Sequence, residues 1–169
     1  MQKKVRMLKR FIILSIAIIS CVAFEQQTKV WAQEWLQQGV SVKCLSGIFQ
    51  FILAENQGAF LGLGAQIPEF MRIVIFTGII PACLLAGFIW VVQEKDLTLM
   101  GSLAAVLLIA RGISNVIDRT FNHGAVIDFM YLDIGPLHTG IFNVADIFIM
   151  TAVFIMVCLS FSQEKSARN

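Results

Sequence analysis

The sequence predicts a mainly α membrane protein, with four transmembrane helices and a small extracytoplasmic β-sheet lying on the membrane. Three observations predict it. Of the 169 residues, 57% are hydrophobic and only 14% charged, with a mean hydropathy of +0.78, whereas a soluble domain carries roughly a quarter of its residues charged. Four apolar runs stand out as candidate spans. Lysine and arginine crowd the N-terminus as Lys3, Lys4, Arg6, Lys9 and Arg10.

The spans are expected at about 11–31, 73–92, 97–117 and 141–161. About 20 residues rising 1.5 Å each cross a hydrocarbon core of roughly 30 Å. The last three satisfy this outright, and the first does so only if its polar end reaches the interface. Pro81 inside the second span is expected to bend it, because proline lacks an N–H and crowds the carbonyl four residues earlier. The basic N-terminus predicts a cytoplasmic start. Four spans then return the C-terminus, with Lys165 and Arg168, to the same side. The turn Gln93–Asp96 is also cytoplasmic, and the segments at about 32–70 and 120–140 lie outside. Within the first of these, Val40, Val42 and Cys44 alternate with polar residues, and the run from Gly47 to Ala54 is rich in β-formers. Gly58, Gly62 and Gly64 then mark a loop. The whole chain, 1–169, reads as a single membrane domain.

Several classes are excluded. A net charge of +2 without a basic stripe gives no nucleic-acid partner. Cys21, Cys44, Cys83 and Cys158 show no C-x-x-C spacing, so neither a disulfide framework nor a zinc site is expected. The run Ile18-Ile19-Ser20-Cys21 looks like the end of a lipoprotein signal sequence, but three further spans favour Cys21 as a small helix residue. His123 and His138 lack a metal-binding H-E-x-x-H spacing and read as interfacial residues.

Ionisable residues within spans are costly and mark function. Arg111, Asn115, Asp118 and Arg119 are spaced to share one face of the third span. A plain alternative is a polar stripe that joins helices. In the fourth span, Asn143 and Asp146 share a face, and Asp146 is expected about five residues inside the helix, roughly 8 Å from its outer end. A carboxylate there needs a partner, and Asp128 is the nearest candidate in the chain. Two carboxyls sharing a site cannot both ionise easily, so one supplies a general acid and the other a general base. Such a pair can activate water against an amide carbon without any cofactor or metal.

These residues resemble lipoprotein signal peptidase (signal peptidase II), the membrane aspartyl endopeptidase family of bacteria. Asn115-Val-Ile-Asp118-Arg119 resembles the family's N-x-x-D-R block, and Val126-Ile127-Asp128-Phe129 its V-V-D-F block. Phe142-Asn143-Val144-Ala145-Asp146 resembles F-N-x-A-D, and Asn56-Gln57-Gly58-Ala59-Phe60 resembles N-x-G-A-A-F. The resemblance implies that Asp128 and Asp146 are catalytic. It implies substrate-binding or supporting roles for Asn56, Gly58, Asn115, Asp118, Arg119, Asn143, Ala145, Glu25 and Lys29. The implied substrate is a prolipoprotein, cut just before its diacylglyceryl-modified cysteine, and membrane lipids and globomycin-type peptide inhibitors are the other implied partners. The implied location is the bacterial inner membrane, with the active site towards the outer face.

Three positions depart from the family pattern. Glu25-Gln-Gln-Thr-Lys29 stands where D-Q-x-x-K is usual, Ser114 stands where glycine is commoner, and Arg111 replaces a small residue. None of the three is expected to touch the two aspartates. Two other functions fit less well: a small transporter, whose polar groups would spread through the membrane depth, and a homologue that binds precursors without cutting them. A cysteine-accessibility or reporter-fusion map is expected to place both termini in the cytoplasm and Ser46 outside. Ser46 mapped to the cytoplasm would overturn the orientation and the site assignment with it.

Overall fold

The computed structural model describes residues 2–58, 67–94 and 96–167. Gly62 and Gly64 of the expected loop, Ala59 and Phe60 of the motif, and Arg168 lie outside them. The described chain holds four apolar helices and a four-stranded antiparallel sheet packed at one end of the bundle. Helix α1 spans Gln2–Trp35; α2 (Glu69–Ile73) runs through a π-helical segment, Val74–Ile79, into α3 (Ile80–Gln93); α4 spans Leu99–Phe121, and α5 spans Val144–Ala167. Each of the four helical stretches is long and apolar enough to cross a membrane.

The helices differ from the expected spans in ways that matter to the site. At 34 residues, α1 is about 51 Å long and continues well past position 31. The third span runs on to Phe121, which keeps Asp118 and Arg119 helical. The fourth starts at Val144 instead of 141, because Phe142 is taken up by an isolated antiparallel bridge to Met130 of the sheet. The Phe142 N–H donates to Met130 O at 2.8 Å, and its carbonyl accepts from Met130 N, also at 2.8 Å. At Pro81 the expected disturbance takes the form of the wider π-helical turn that ends at Ile79. A wider turn is one way to accommodate the lost N–H and the crowded Thr77 carbonyl.

Helix α4 is the central one. Within its most apolar window 39% of residues are buried, against 11% or less in the other three. Leu14 and Ile18 of α1, Val91 of α3, and Val106, Ile109 and Ala110 of α4 form one core. Ala104 and Leu107 meet Ala152 of α5 in another. The outward faces carry Ile13, Ile16, Leu85, Met150 and Phe154 in the open, the pattern of helices solvated by lipid.

In the sheet the order is β1 (Ser41–Cys44), β2 (Phe49–Asn56), β3 (Val126–Ile134) and β4 (Leu137–His138). Strand structure in the segment that forms β1 and β2 was expected, from the alternation at Val40, Val42 and Cys44 and the β-formers between Gly47 and Ala54; the two pair antiparallel. Strand β3 was not: its first five residues are all buried, so it shows no polar alternation, and a short buried run reads equally well as helix. Beneath the sheet, Ala32 of α1 packs with Phe129 and Met130.

Gly112 of α4 packs against Leu84 of α3. A Cβ there would overlap both methyls of Leu84. Overpacking of this kind costs about 1–3 kcal/mol, more than the roughly 1 kcal/mol by which alanine exceeds glycine in a helix. Gly112→Ala is therefore expected to lower the thermal midpoint in detergent. Adding Leu84→Ala should recover part of the loss, and strict additivity of the two changes would refute the contact.

Candidate active site

Strands β2 and β3 bring Asn56 and Asp128 together. The register pairs Asn56 with Val126 and Ala54 with Asp128. Asn56 Nδ2 thereby donates to Asp128 Oδ2 at 3.1 Å, while Asn56 Oδ1 accepts from Gly58 N at 3.0 Å. One asparagine thus fixes both an aspartate and the chain that leaves β2.

The start of α5 places the second aspartate. Asn143 precedes the first helical residue and Asp146 follows three positions later, the spacing of a capping box. The bonds are reciprocal: Asn143 Oδ1 accepts from Asp146 N at 3.2 Å, and Asp146 Oδ2 accepts from Asn143 N at 3.1 Å. Asp146 is therefore in the first turn of α5, not five residues deep as the apolar run had implied. Asn143 Nδ2 also donates to Asp128 Oδ1 at 2.6 Å and to Ile127 O at 3.2 Å. A single buried residue, Asn143, therefore bonds both carboxylates.

A second correction concerns Arg111. It was expected to leave the aspartates untouched, yet its Nη2 lies 2.8 Å from Asp146 Oδ1 in an ion pair. The nearest charge to Asp146 is a cation on α4. The expected single polar face of α4 also divides. Arg111, Asn115 and Arg119, spaced by four, line one cavity, whereas Asp118 and Ser114 turn towards α1. Arg119 donates Nη2 to Gly58 O at 2.9 Å and lays its guanidinium 4.1 Å from the centre of the Phe76 ring. Phe76 carried no signal in the sequence beyond being apolar.

Behind the cavity is a buried ionic cluster. Lys29 Nζ lies between Glu25 and Asp118, 2.6 Å from Asp118 Oδ2, and the lysine is 2% exposed and the glutamate 0%. Gln26 Nε2 adds donations to Asp118 Oδ1 at 2.8 Å and to Ser114 Oγ at 2.9 Å. Asp118 Oδ2 also accepts from Ile127 N at 3.1 Å. Glu25 and Lys29, four residues apart on α1, thus pair inside the bundle. Ala145 is fully buried in the first turn of α5. These residues support the site without lining it.

The cavity measures about 560 Å³ and is bounded by Phe76 and Ile80, the polar face of α4, Asp128 and the first turns of α5. Asp128 is 4% exposed. Burial first of all pushes its carboxyl up from 3.8 to about 6; the charge of Asp146 adds to this, and the amides of Asn56 and Asn143 and the more distant Lys29 oppose it. One carboxyl inclined to keep its proton therefore lies across Asn143 from another that meets a cation. That combination offers acid and base to the same cavity.

Comparison with known proteins places this arrangement in a family. The profile described as Signal peptidase (SPase) II matches residues 17–162. The lipoprotein signal peptidase of Streptococcus thermophilus is 25% identical over 95% of this chain and 99% of its own, and that of Syntrophus aciditrophicus is 29% identical over 94% and 98%. A solved bacterial membrane enzyme superposes with a TM-score of 0.74 at 24% identity, covering 92% of this chain and 91% of that one. With the family profile spanning nearly all of the four-helix bundle and its sheet, the chain belongs to the signal peptidase II family.

Proposed function

We propose that the protein is an aspartyl endopeptidase, a single membrane domain that removes the signal peptide of a prolipoprotein just before its diacylglyceryl-modified cysteine. The observation that carries this reading is Asn143, which bonds both Asp128 and Asp146 at the wall of one cavity. Water held between the two carboxyls attacks the scissile carbonyl carbon. One carboxyl takes the proton of the water, and the other protonates the carbonyl oxygen. The pair supplies both functions from its own side chains.

The cavity suits a peptide in extended form. Asn115 Oδ1, Arg111 Nε and Arg119 Nε are buried with no hydrogen-bond partner among the described residues. Backbone N–H and C=O groups of a bound chain satisfy such atoms, and satisfaction on binding favours the correctly seated substrate. The apolar wall formed by Phe76, Ile80, Ile147 and Met150 accommodates acyl chains or the apolar signal helix. The same surface receives membrane lipids, and globomycin-type peptides are expected to compete for it. The basic N-terminus orients the protein in the bacterial inner membrane with both termini cytoplasmic, and the sheet with the site then faces outward.

Purified protein incubated with a diacylglyceryl-modified precursor should release the signal peptide. Asp128→Asn and Asp146→Asn keep size and polarity, so each is expected to fold and bind precursor but lose nearly all cleavage. The double variant should be scarcely worse than either, since groups that act as a unit are strongly non-additive. Substantial cleavage by either single variant would overturn the aspartyl mechanism.

The pH dependence follows from Asp128. The working pair needs one proton, so kcat/KM falls on the alkaline side as the last proton leaves, along a limb displaced upward from 3.8 towards 6. The Asn56 amide donates to the ionised form of Asp128 and favours it. Removing that donor in Asn56→Ala should move the alkaline limb to higher pH, and a limb that moved down would contradict the assignment.

A further inference from the structure

One proton shared by two carboxyls must rest on one of them, and three contacts bear on which. Asp146 Oδ1 meets the guanidinium of Arg111 at 2.8 Å. Its Oδ2 accepts the backbone N–H of Asn143, and Asp146 stands in the first turn of α5, where the positive end of the helix dipole favours an anion. Asp128, in contrast, bonds only neutral amides, those of Asn56 and Asn143.

The other charged groups around the pair are already engaged. On α4, Arg119 donates to Gly58 O, and Asp118 is bound by Lys29 of α1, which also pairs with Glu25. From β3 comes Asp128 itself. Among the described residues Arg111 is the one cation in direct contact with either member of the pair.

We propose that Arg111 is a positioning residue that keeps the negative charge of the pair on Asp146, so that Asp146 takes the proton of the attacking water and Asp128 protonates the scissile carbonyl. This rests on the aspartyl reading given above. In the first step the oxygen of water bonds to the carbonyl carbon. One water proton passes to Asp146, and the proton of Asp128 passes to the carbonyl oxygen as its π bond opens. The result is a neutral gem-diol beside an ionised Asp128 and a protonated Asp146. In the second step the carbon–nitrogen bond breaks as Asp146 gives its proton to the nitrogen. Asp128 recovers a hydroxyl proton as the carbonyl re-forms, and the starting state is restored.

A fixed cation beside the charged member opposes uptake of a second proton, so Arg111 sets the acid limb of activity. Removing it lets the pair become doubly protonated at a higher pH. The pH profile of kcat/KM on a diacylglyceryl-modified precursor, measured for wild type, Arg111→Gln and Arg111→Lys with thermal midpoints as a folding check, tests this. Arg111→Gln is expected to raise the acid limb by about one pH unit or more. Arg111→Lys keeps the charge and should leave the limb close to wild type while lowering kcat, because an ammonium does not copy the guanidinium geometry. An acid limb unmoved in a folded Arg111→Gln, or moved equally in both variants, overturns the proposal.

Carbon-13 spectra of aspartate-labelled wild type give a second reading that needs no Arg111 variant to fold. With rising pH, the carboxyl assigned to Asp146 should ionise before that of Asp128, and the reverse order overturns the proposal. If Asp128→Asn or Asp146→Asn cleaves, the aspartyl reading itself fails. If both are inactive while the Arg111 profiles or the order of ionisation are wrong, only the role given to Arg111 fails.

Discussion

The site depends on the carboxylate of Asp118, which joins three elements at one point. Its Oδ2 accepts from Lys29 of α1 and from the backbone of Ile127 in β3, and its Oδ1 accepts from Gln26 of α1. The next carbonyl along, that of Ile127, accepts from Asn143, which bonds Asp128 and Asp146. Arg111 closes the circuit from Asp146 back to α4. The cavity therefore sits on a chain of hydrogen bonds that begins and ends on the central helix. Removing one partner from a buried ion pair costs about 3–5 kcal/mol, because the other is left charged and unpaired. Lys29 and Asp118 hold one another in place by that penalty.

Lipid makes this arrangement necessary. A bilayer core offers no water to an exposed polar group, so charges within helices must be satisfied by one another. The cluster lies towards the C-terminal halves of α1 and α4 and the start of α5, at the end of the bundle that the sheet covers. Polar groups concentrated at one end suit a cutting site better than a conduction path, which would need them along the full depth.

The sheet contributes position more than bulk. Strand β3 has its first five residues buried, and the second and third of them, Ile127 and Asp128, contact the polar network through backbone and side chain respectively. A rigid strand pinned to a central helix holds Asp128 more tightly than a loop would. Its rigidity matters to the proposed chemistry, because a displacement of one ångström in a reacting group is costly in rate. Capping serves the same end on the other side, since the two bonds between Asn143 and Asp146 lock the aspartate into the first turn of α5.

The sequence by itself determined the four apolar helices, the β-structure of the segment after α1, the i, i+4 spacing of Glu25 and Lys29 and the polar groups near Asp128 and Asp146. Each is written in local spacing: about twenty apolar residues for a span, alternation for a strand, four residues between charges on a helix. The capping spacing of Asn143 and Asp146 was legible in the same way, though the apolar run from Ile141 masked it. Only the tertiary structure decided what Arg111 touches, that β3 is a buried strand, and that Asp118 faces α1 while its neighbours on α4 face the cavity. These depend on which helix comes to lie beside which face of α4. Residues 35 positions apart in the chain, such as Arg111 and Asp146, meet only once that packing exists. Local spacing fixes the direction of a side chain on its own element, and the packing of elements supplies its partner.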